Sequence, residues 1–199
     1  MSIVESHLVL HLPLDEVTNA MAVDRSVHNR HGRIAGNPQL VADSTFGSCM
    51  RFDGQDDAIT VANADLRAPA EPDSPAPDPR NPAHTVAGWV RAERYPSGRA
   101  WLLRQGQNSP GAHHWLLMPS GELAIGVWSG VQFAPALPLA AWTHIATTYD
   151  GAQLRCYLNG TQVGEPKNAR FDFANFDLAL AMPGMAELYF AGSMAGVRL

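Results

Sequence analysis

The segment Ala141-Trp-Thr-His-Ile-Ala-Thr-Thr-Tyr-Asp-Gly151, continued by Leu154-Arg-Cys-Tyr-Leu-Asn-Gly160, decides the fold class. Ile145, Thr147 and Tyr149 alternate with His144, Ala146 and Thr148, the period-two pattern of a strand that buries one face. Asp150-Gly151 supplies a turn, and Leu154, Cys156 and Leu158 resume the alternation. Asn159-Gly160 accepts the positive φ angles of a two-residue type I′ turn, which sends the chain back through Gln162 and Val163. Three antiparallel strands in a meander are expected here.

The same pattern recurs outward from this segment. Leu8, Leu10 and Leu12 alternate with Val9 and His11, Met50 and Phe52 with Cys49 and Arg51, and Ile59 and Val61 flank Thr60. Seventeen glycines and fifteen prolines keep these stretches short, and no amphipathic helix is evident. Many short strands with frequent turns and few helices imply an all-β fold, two antiparallel sheets burying their alternating faces against each other. Residues 62–83 differ: six prolines and four acids, with almost no aliphatic residue, cannot join a core. Neither flank is large enough for a sandwich of its own, so the interval is expected to be a Pro-rich loop inserted in a single domain over 1–199.

Composition narrows the role. The 199 residues are 46% hydrophobic and 17% charged, below the roughly 25% charged of typical soluble domains, which excludes a charge-driven disordered chain. Net charge is −5 and no Lys/Arg cluster appears, so nucleic acid and anionic membrane are poor partners. No apolar run approaches the roughly eighteen residues of a membrane span. The first basic residue is Arg25, so the start lacks the charged region of a secretory signal, and the chain as written reads as cytoplasmic. Cys49 and Cys156 lack the spacing of a zinc site or a disulfide scaffold and are expected to be free, buried thiols.

Several ordered segments resemble one family. Leu8-Val-Leu-His-Leu-Pro-Leu-Asp-Glu16, Asp24-Arg-Ser-Val-His-Asn-Arg-His-Gly32 and Arg51-Phe-Asp-Gly-Gln-Asp-Asp57 are similar to the opening of laminin-G-like, concanavalin A-like jelly rolls. Val86-Ala-Gly-Trp-Val90, the 141–151 and 154–160 segments and Phe190-Ala-Gly-Ser-Met-Ala-Gly-Val-Arg198 follow in the family's order. The chain departs from the pattern at Val27-His28-Asn29-Arg30, where the family has a Gly-Asn turn, and in the Pro-rich interval. The resemblance implies a jelly-roll β-sandwich that recognises a glycan or a protein, acting in most relatives outside cells. It also implies calcium at a rim, for which Asp15 and Asp24 are the carboxylate candidates, unless both merely cap turns.

For chemistry the sequence offers little. Glucan hydrolases of this architecture need a nucleophile and an acid on one strand face, but only Glu71-Pro-Asp73 approaches that motif, inside the Pro-rich interval. His28, His31 and His113-His114 could reach a transition metal with Asp24, although adjacent strand histidines face opposite ways. His144 reads as a structural histidine. Among the tryptophans, Trp89, Trp115 and Trp142 take core or sheet-packing positions in the resemblance. Trp128, Tyr95 and Trp101 remain as exposed aromatics able to stack on a sugar ring, with Arg104 and His114 on neighbouring strands to complete a ligand surface. The expected role is thus non-catalytic binding of a glycan or glycosylated surface. The alternatives are a protein-docking module without sugar binding and, less favoured, a hydrolase or lyase with an atypical carboxylate pair.

Overall fold

The computed structural model describes residues 8–64, 82–106, 112–127, 130–171, 173, 177–182 and 188–199. No helix occurs among them, so none is long and apolar enough to cross a membrane. The strands before the Pro-rich interval are β1 (His11–Leu12), β2 (Val17–Thr18), β3 (Met21–Ala22), β4 (Gly32–Ala35), β5 (Gln39–Asp43), β6 (Gly47–Asp53) and β7 (Ala58–Val61). After it come β8 (His84–Ala92), β9 (Ala100–Gln105), β10 (His113–Leu117), β11 (Leu123–Val127), β12 (Gly130–Ala134) and β13 (Thr143–Tyr149). The last are β14 (Gln153–Leu158), β15 (Thr161–Asn168), β16 (Leu178–Leu180) and β17 (Ala191–Arg198).

These strands form two antiparallel sheets, a jelly-roll sandwich. One runs β15-β14-β13-β8-β17-β6-β5 with β1 paired on β17, the other β12-β11-β10-β9-β16-β7-β4-β3-β2. Strands from both sides of the Pro-rich interval share each sheet, and β7 and β8 abut its two ends; residues 65–81 lie outside the described part. The expected meander is β13-β14-β15, with Leu158 paired to Thr161 across Asn159 (φ 49°) and Gly160 (φ 79°), the double positive φ of a type I′ turn. Asp150 Oδ1 accepts the N–H groups of Ala152 and Gln153 and closes the preceding turn.

Alternation places Leu10, Leu12, Met50, Phe52, Val86, Val90, Ile145 and Leu154 from one sheet against Ile59, Leu103, Trp115, Ile125 and Leu178 from the other, all at most 2% exposed. Gly32 is required by this packing, since a Cβ there would approach Ile59 Cγ2 to 2.5 Å. Cys49 and Cys156 are both buried and free, on β6 and β14 of the same sheet with three strands between them, about 19 Å apart at roughly 4.8 Å per strand. That separation rules out a bond between them.

Candidate functional site

The centre of the nine-stranded sheet is apolar on both faces, and its outward face carries the site. Pairing aligns Met21, Arg33, Thr60, Ala179, Arg104, His114, Gly126 and Val131 in one row across eight strands. Their strand neighbours Ile34, Ile59, Leu180, Leu103 and Ile125 point into the core, so the row faces outward. A second outward row holds Trp101, Leu116, Ala124 and Phe133. Trp101, Leu116 and Ala124 form an apolar cluster separate from the main core, while Phe133, on the edge strand, is 61% exposed.

A β-bulge joins the two rows. Trp115 pairs with Leu103 and Leu116 with Trp101, so Leu102 is the extra residue and points inward beside Leu103. Trp101 and Arg104, three apart in sequence, thereby reach one face. The Arg104 guanidinium carbon lies 5.4 Å from the Trp101 ring centroid, and the same ring meets His114 edge-on at 5.5 Å. Burial lowers the His114 pKa to about 4, with the Arg99 charge adding to the effect, so the ring is neutral at physiological pH.

Beside this platform a cleft of about 370 Å³ opens over β3, β4, β7, β16 and β9. Thr60 and Ala179 form a low floor, Arg33 and Arg104 line its two sides, and His31 and Asp177 lie at its ends. Asp177 Oδ1 accepts the N–H of Asn63 at 2.8 Å, and buried Gln105 donates to the carbonyl of Ala64 at 2.8 Å. Together they hold the end of β7 where the cleft closes. His31 Nδ1 accepts the N–H of Asp24, so its neutral ring carries the proton on Nε2.

The structure brings together three of the residues singled out in sequence, Trp101, Arg104 and His114, and separates Tyr95 from them. Three of the expected features need correction. His114 is fully buried, 0% exposed, and presents no face to a ligand. Trp101 is 5% exposed, because Arg104 and His114 pack on it, so it is a support and not an open stacking surface. Tyr95 is partly buried; its OH donates to Leu137 O at 2.7 Å, and its ring lies under the turn at Gly121, where a Cβ would sit within 2.8 Å of the phenol. It borders a different cleft of about 330 Å³ with Arg94, Ser97 and Tyr189. Trp128 and the Glu71-Pro-Asp73 motif lie outside the described residues.

Of the other tryptophans, Trp115 is in the core, whereas Trp89 and Trp142 pack around Phe46 on the outside of the eight-stranded sheet. His144 meets Trp89 in a tilted contact at 4.9 Å. His113 and His114 face opposite ways, His113 inward to Thr147 and His114 outward to Trp101, and share no ligand position.

The carboxylates named for calcium, Asp24 and Asp15, have protein partners. Asp24, 2% exposed, accepts four hydrogen bonds: from the N–H groups of His11, Ser26 and Arg30 and from the Ser26 hydroxyl. Burial pushes its carboxyl up, but these donors outweigh burial and hold it below the usual range. Asp15 pairs with Arg25 at 3.0 Å. An acidic group that the sequence reading passed over, Asp53, Asp56 and Asp57, has carboxylate oxygens within 4.8 Å of one another. There too, Asp57 accepts the N–H groups of Asn37 and Asp53, and Asp53 the backbone and side-chain N–H groups of Gln55, so two of the three carboxylates brace the turn.

The residues that sequence missed are Arg33, Thr60, Ala179 and Asp177. The alternation Gly32-Arg-Ile-Ala35 marks Arg33 as outward, but only the strand order places it across from Arg104.

Comparison with known structures returns the same architecture. Domain 4 of AbnA, a GH43 extracellular arabinanase from Geobacillus stearothermophilus, in complex with arabinotriose, is 21% identical at a TM-score of 0.67, covering 96% of this chain and 90% of that one. Trypanosoma rangeli sialidase is 15% identical at a TM-score of 0.69 over 97% of this chain, which spans only 30% of the sialidase. The botulinum neurotoxin type G receptor binding domain is 10% identical at 0.68, covering 96% of this chain and 47% of that one. At these identities the likeness is one of fold. No curated protein matches the sequence. The family model for concanavalin A-like lectin/glucanases, of the laminin G type, matches residues 53–199 and takes in β7 to β17 with the whole Trp101–Arg104–His114 platform, and to that superfamily the chain belongs.

Proposed function

We propose that the chain is a non-catalytic recognition module that binds a glycan on the outward face of its nine-stranded sheet. The observation that carries this reading is the cleft of about 370 Å³ in which the polar side chains of His31, Arg33, Thr60, Arg104 and Asp177 stand among apolar ones, Met21, Val61 and Met182. Polar side chains fixed on sheet strands around a concave surface suit a ligand rich in hydroxyls. The AbnA domain, of the same fold and nearly the same extent, is seen with arabinotriose, which supports a saccharide ligand.

Hydrolysis of a glycosidic bond needs two carboxyl groups at a defined separation. Among the described residues lining the cleft, Asp177 is the one carboxylate, and one of its oxygens already holds the Asn63 N–H. This supports binding without cleavage. Among the described residues the large exposed apolar side chains, Val27, Leu40, Phe133, Leu139 and Leu188, are dispersed over five separate elements or turns, which favours the saccharide reading over a flat protein-docking patch.

The test is a glycan array with purified protein, in calcium and in chelator, followed by titration calorimetry of a hit against Thr60→Trp. That substitution fills the floor from a partly exposed outward position and leaves the core untouched. Loss of binding at unchanged melting temperature supports the site. Undiminished binding would move the ligand elsewhere, the Tyr95 cleft being the next surface to probe.

A further inference from the structure

The outward face of the eight-stranded sheet carries a second concave surface. A cleft of about 280 Å³ opens over the last residues of β17, where β6 ends and β1 takes its place beside β17. The sheet itself supplies Trp89, Gly196 and Arg198, and Phe46 and the Asp15–Arg25 ion pair border them. Ala195 pairs with Trp89 and Arg198 with Ala87, so three steps along β17 match two along β8. Gly196, with φ 58°, takes the left-handed conformation that such a bulge needs. The bulge puts Arg198 on the same outward face as Trp89, which regular alternation would deny it. A Cβ at Gly196 would lie 3.6 Å from Trp89 Cδ1, against a ring edge that glycine leaves open.

Trp89 differs from its counterparts among the described residues. Trp142 donates its indole N–H to Asp43 Oδ2, and those of Trp101 and Trp115 are buried. Trp89 is partly exposed, and its N–H meets no described partner and is not shut off from solvent. Phe46 and His144 are tilted against the ring at 5.6 and 4.9 Å, which fixes its plane while neither lies flat on it. Around it, exposed Arg198 and the Ser48 hydroxyl make no hydrogen bond with another described residue. Asp15 gives Oδ1 to Arg25 at 3.0 Å, and its Oδ2 accepts from no described residue. Donors and an acceptor thus stand round a fixed indole, the combination that holds a saccharide by its C–H face and its hydroxyls. The cleft of the nine-stranded sheet has no tryptophan, tyrosine or phenylalanine among its described lining residues.

We propose that the cleft at Trp89 is a second saccharide site, in which a sugar ring lies against the indole and its hydroxyls meet Arg198, Ser48 and Asp15. It stands on the face of the sandwich opposite the first cleft and does not depend on the reading of that cleft. With both occupied, the domain holds two sugar chains, one on each side.

The probe is the glycan array applied to the wild type and to Thr60→Trp, followed by titration of a glycan that Thr60→Trp retains, read in nitrogen–proton correlation spectra. The expected result is a shift of the Trp89 indole N–H signal, assigned by its disappearance in Trp89→Phe. Affinity should fall about tenfold in Trp89→Ala. Because Trp89→Ala also removes the contacts with Phe46 and His144, Arg198→Gln serves as the second variant; Arg198 is exposed, so its replacement should weaken binding at the wild-type melting temperature. A retained glycan that leaves the Trp89 signal unmoved, or that binds Trp89→Ala and Arg198→Gln as tightly as the wild type, overturns the proposal. So does an array on which Thr60→Trp retains nothing, a result that leaves the first cleft standing. Silence of the folded wild type across the whole array removes both sites.

Discussion

A chain of buried rings predicts that mild acid destabilises the fold. His84 Nδ1 lies 2.8 Å from the carbonyl of Pro82, an acceptor only, so that nitrogen carries the proton. The neutral ring then accepts at Nε2, from His113 Nδ1 at 3.2 Å, and His113 Nε2 accepts from the Thr147 hydroxyl at 3.0 Å. Phe171, Phe173 and Tyr149 pack around His84, and no counter-charge from another described residue acts on it. Protonating either ring sets N–H against N–H or forces the chain to reverse, with Thr147 then relying on Val86 O at 3.4 Å. Burial accordingly lowers His84 from 6.5 to about 4 and His113 well below 6.5, and His114 on the other face falls to about 4. Between pH 6.5 and 4 the unfolded chain binds more protons than the folded one, so stability is full above about 6.5 and falls as the pH drops towards 4. At pH 5 His84 and His114 each cost about 2 kcal/mol, and the two together about 4 kcal/mol, a large share of the roughly 5–15 kcal/mol of a typical domain. The lowered carboxyls of Asp24 and Asp43 act only near and below their unfolded value of 3.8 and leave this window to the histidines. Urea unfolding followed by tryptophan fluorescence at pH 7.5, 6 and 5 measures the effect. An unfolding free energy that stays level within about 1 kcal/mol from pH 7.5 to 5 would refute the buried neutral chain.

Two further outcomes follow from single side chains. Asp24→Ala strips the partner from the N–H groups of His11, Ser26 and Arg30 and should cost about 3 kcal/mol in urea unfolding, equally in calcium and in chelator. A loss present only with calcium would instead place a cation on Asp24. Burial pushes the Cys156 thiol up to about 12, and burial also raises Cys49 against an opposing hydrogen bond from Ser193. Neither should react with an aromatic disulfide reagent at pH 8 until urea is added, whereas prompt labelling of the native protein would contradict their burial.

How far the sequence could be read depended on whether a feature was local. The β13–β15 meander was legible because each strand fixes its neighbour through turns of two to three residues, Asp150-Gly151 and Asn159-Gly160, whose chemistry allows few conformations. Trp115 was legible as core and His113-His114 as divergent, since a strand alternates whatever lies beside it. The cleft was not. Its row draws on β3, β4, β7, β16 and β9, and β16 inserts between β7 and β9 from more than seventy residues further along the chain. No local pattern marks such a crossover, so Arg33 and Asp177 carried no signal in sequence beyond their types.

The platform shows a subtler limit. Period-two reading puts Trp101 and Arg104 on opposite faces, because three is odd, and would have denied the one aromatic contact that fixes a cleft arginine. The extra residue at Leu102 reverses that parity, turning two consecutive leucines inward and both site residues outward. No local pattern marks the bulge, since the pair Leu116-Leu117 on β10 looks the same and alternates regularly. The bulge nonetheless belongs to the site as much as Arg104 does. Deleting Leu102 would restore regular pairing with Trp101 and Arg104 two residues apart, still on one face, whereas closing the bulge with Leu102 retained would put them on opposite faces. In the second case the sheet could still form, but the ring and the guanidinium would no longer meet.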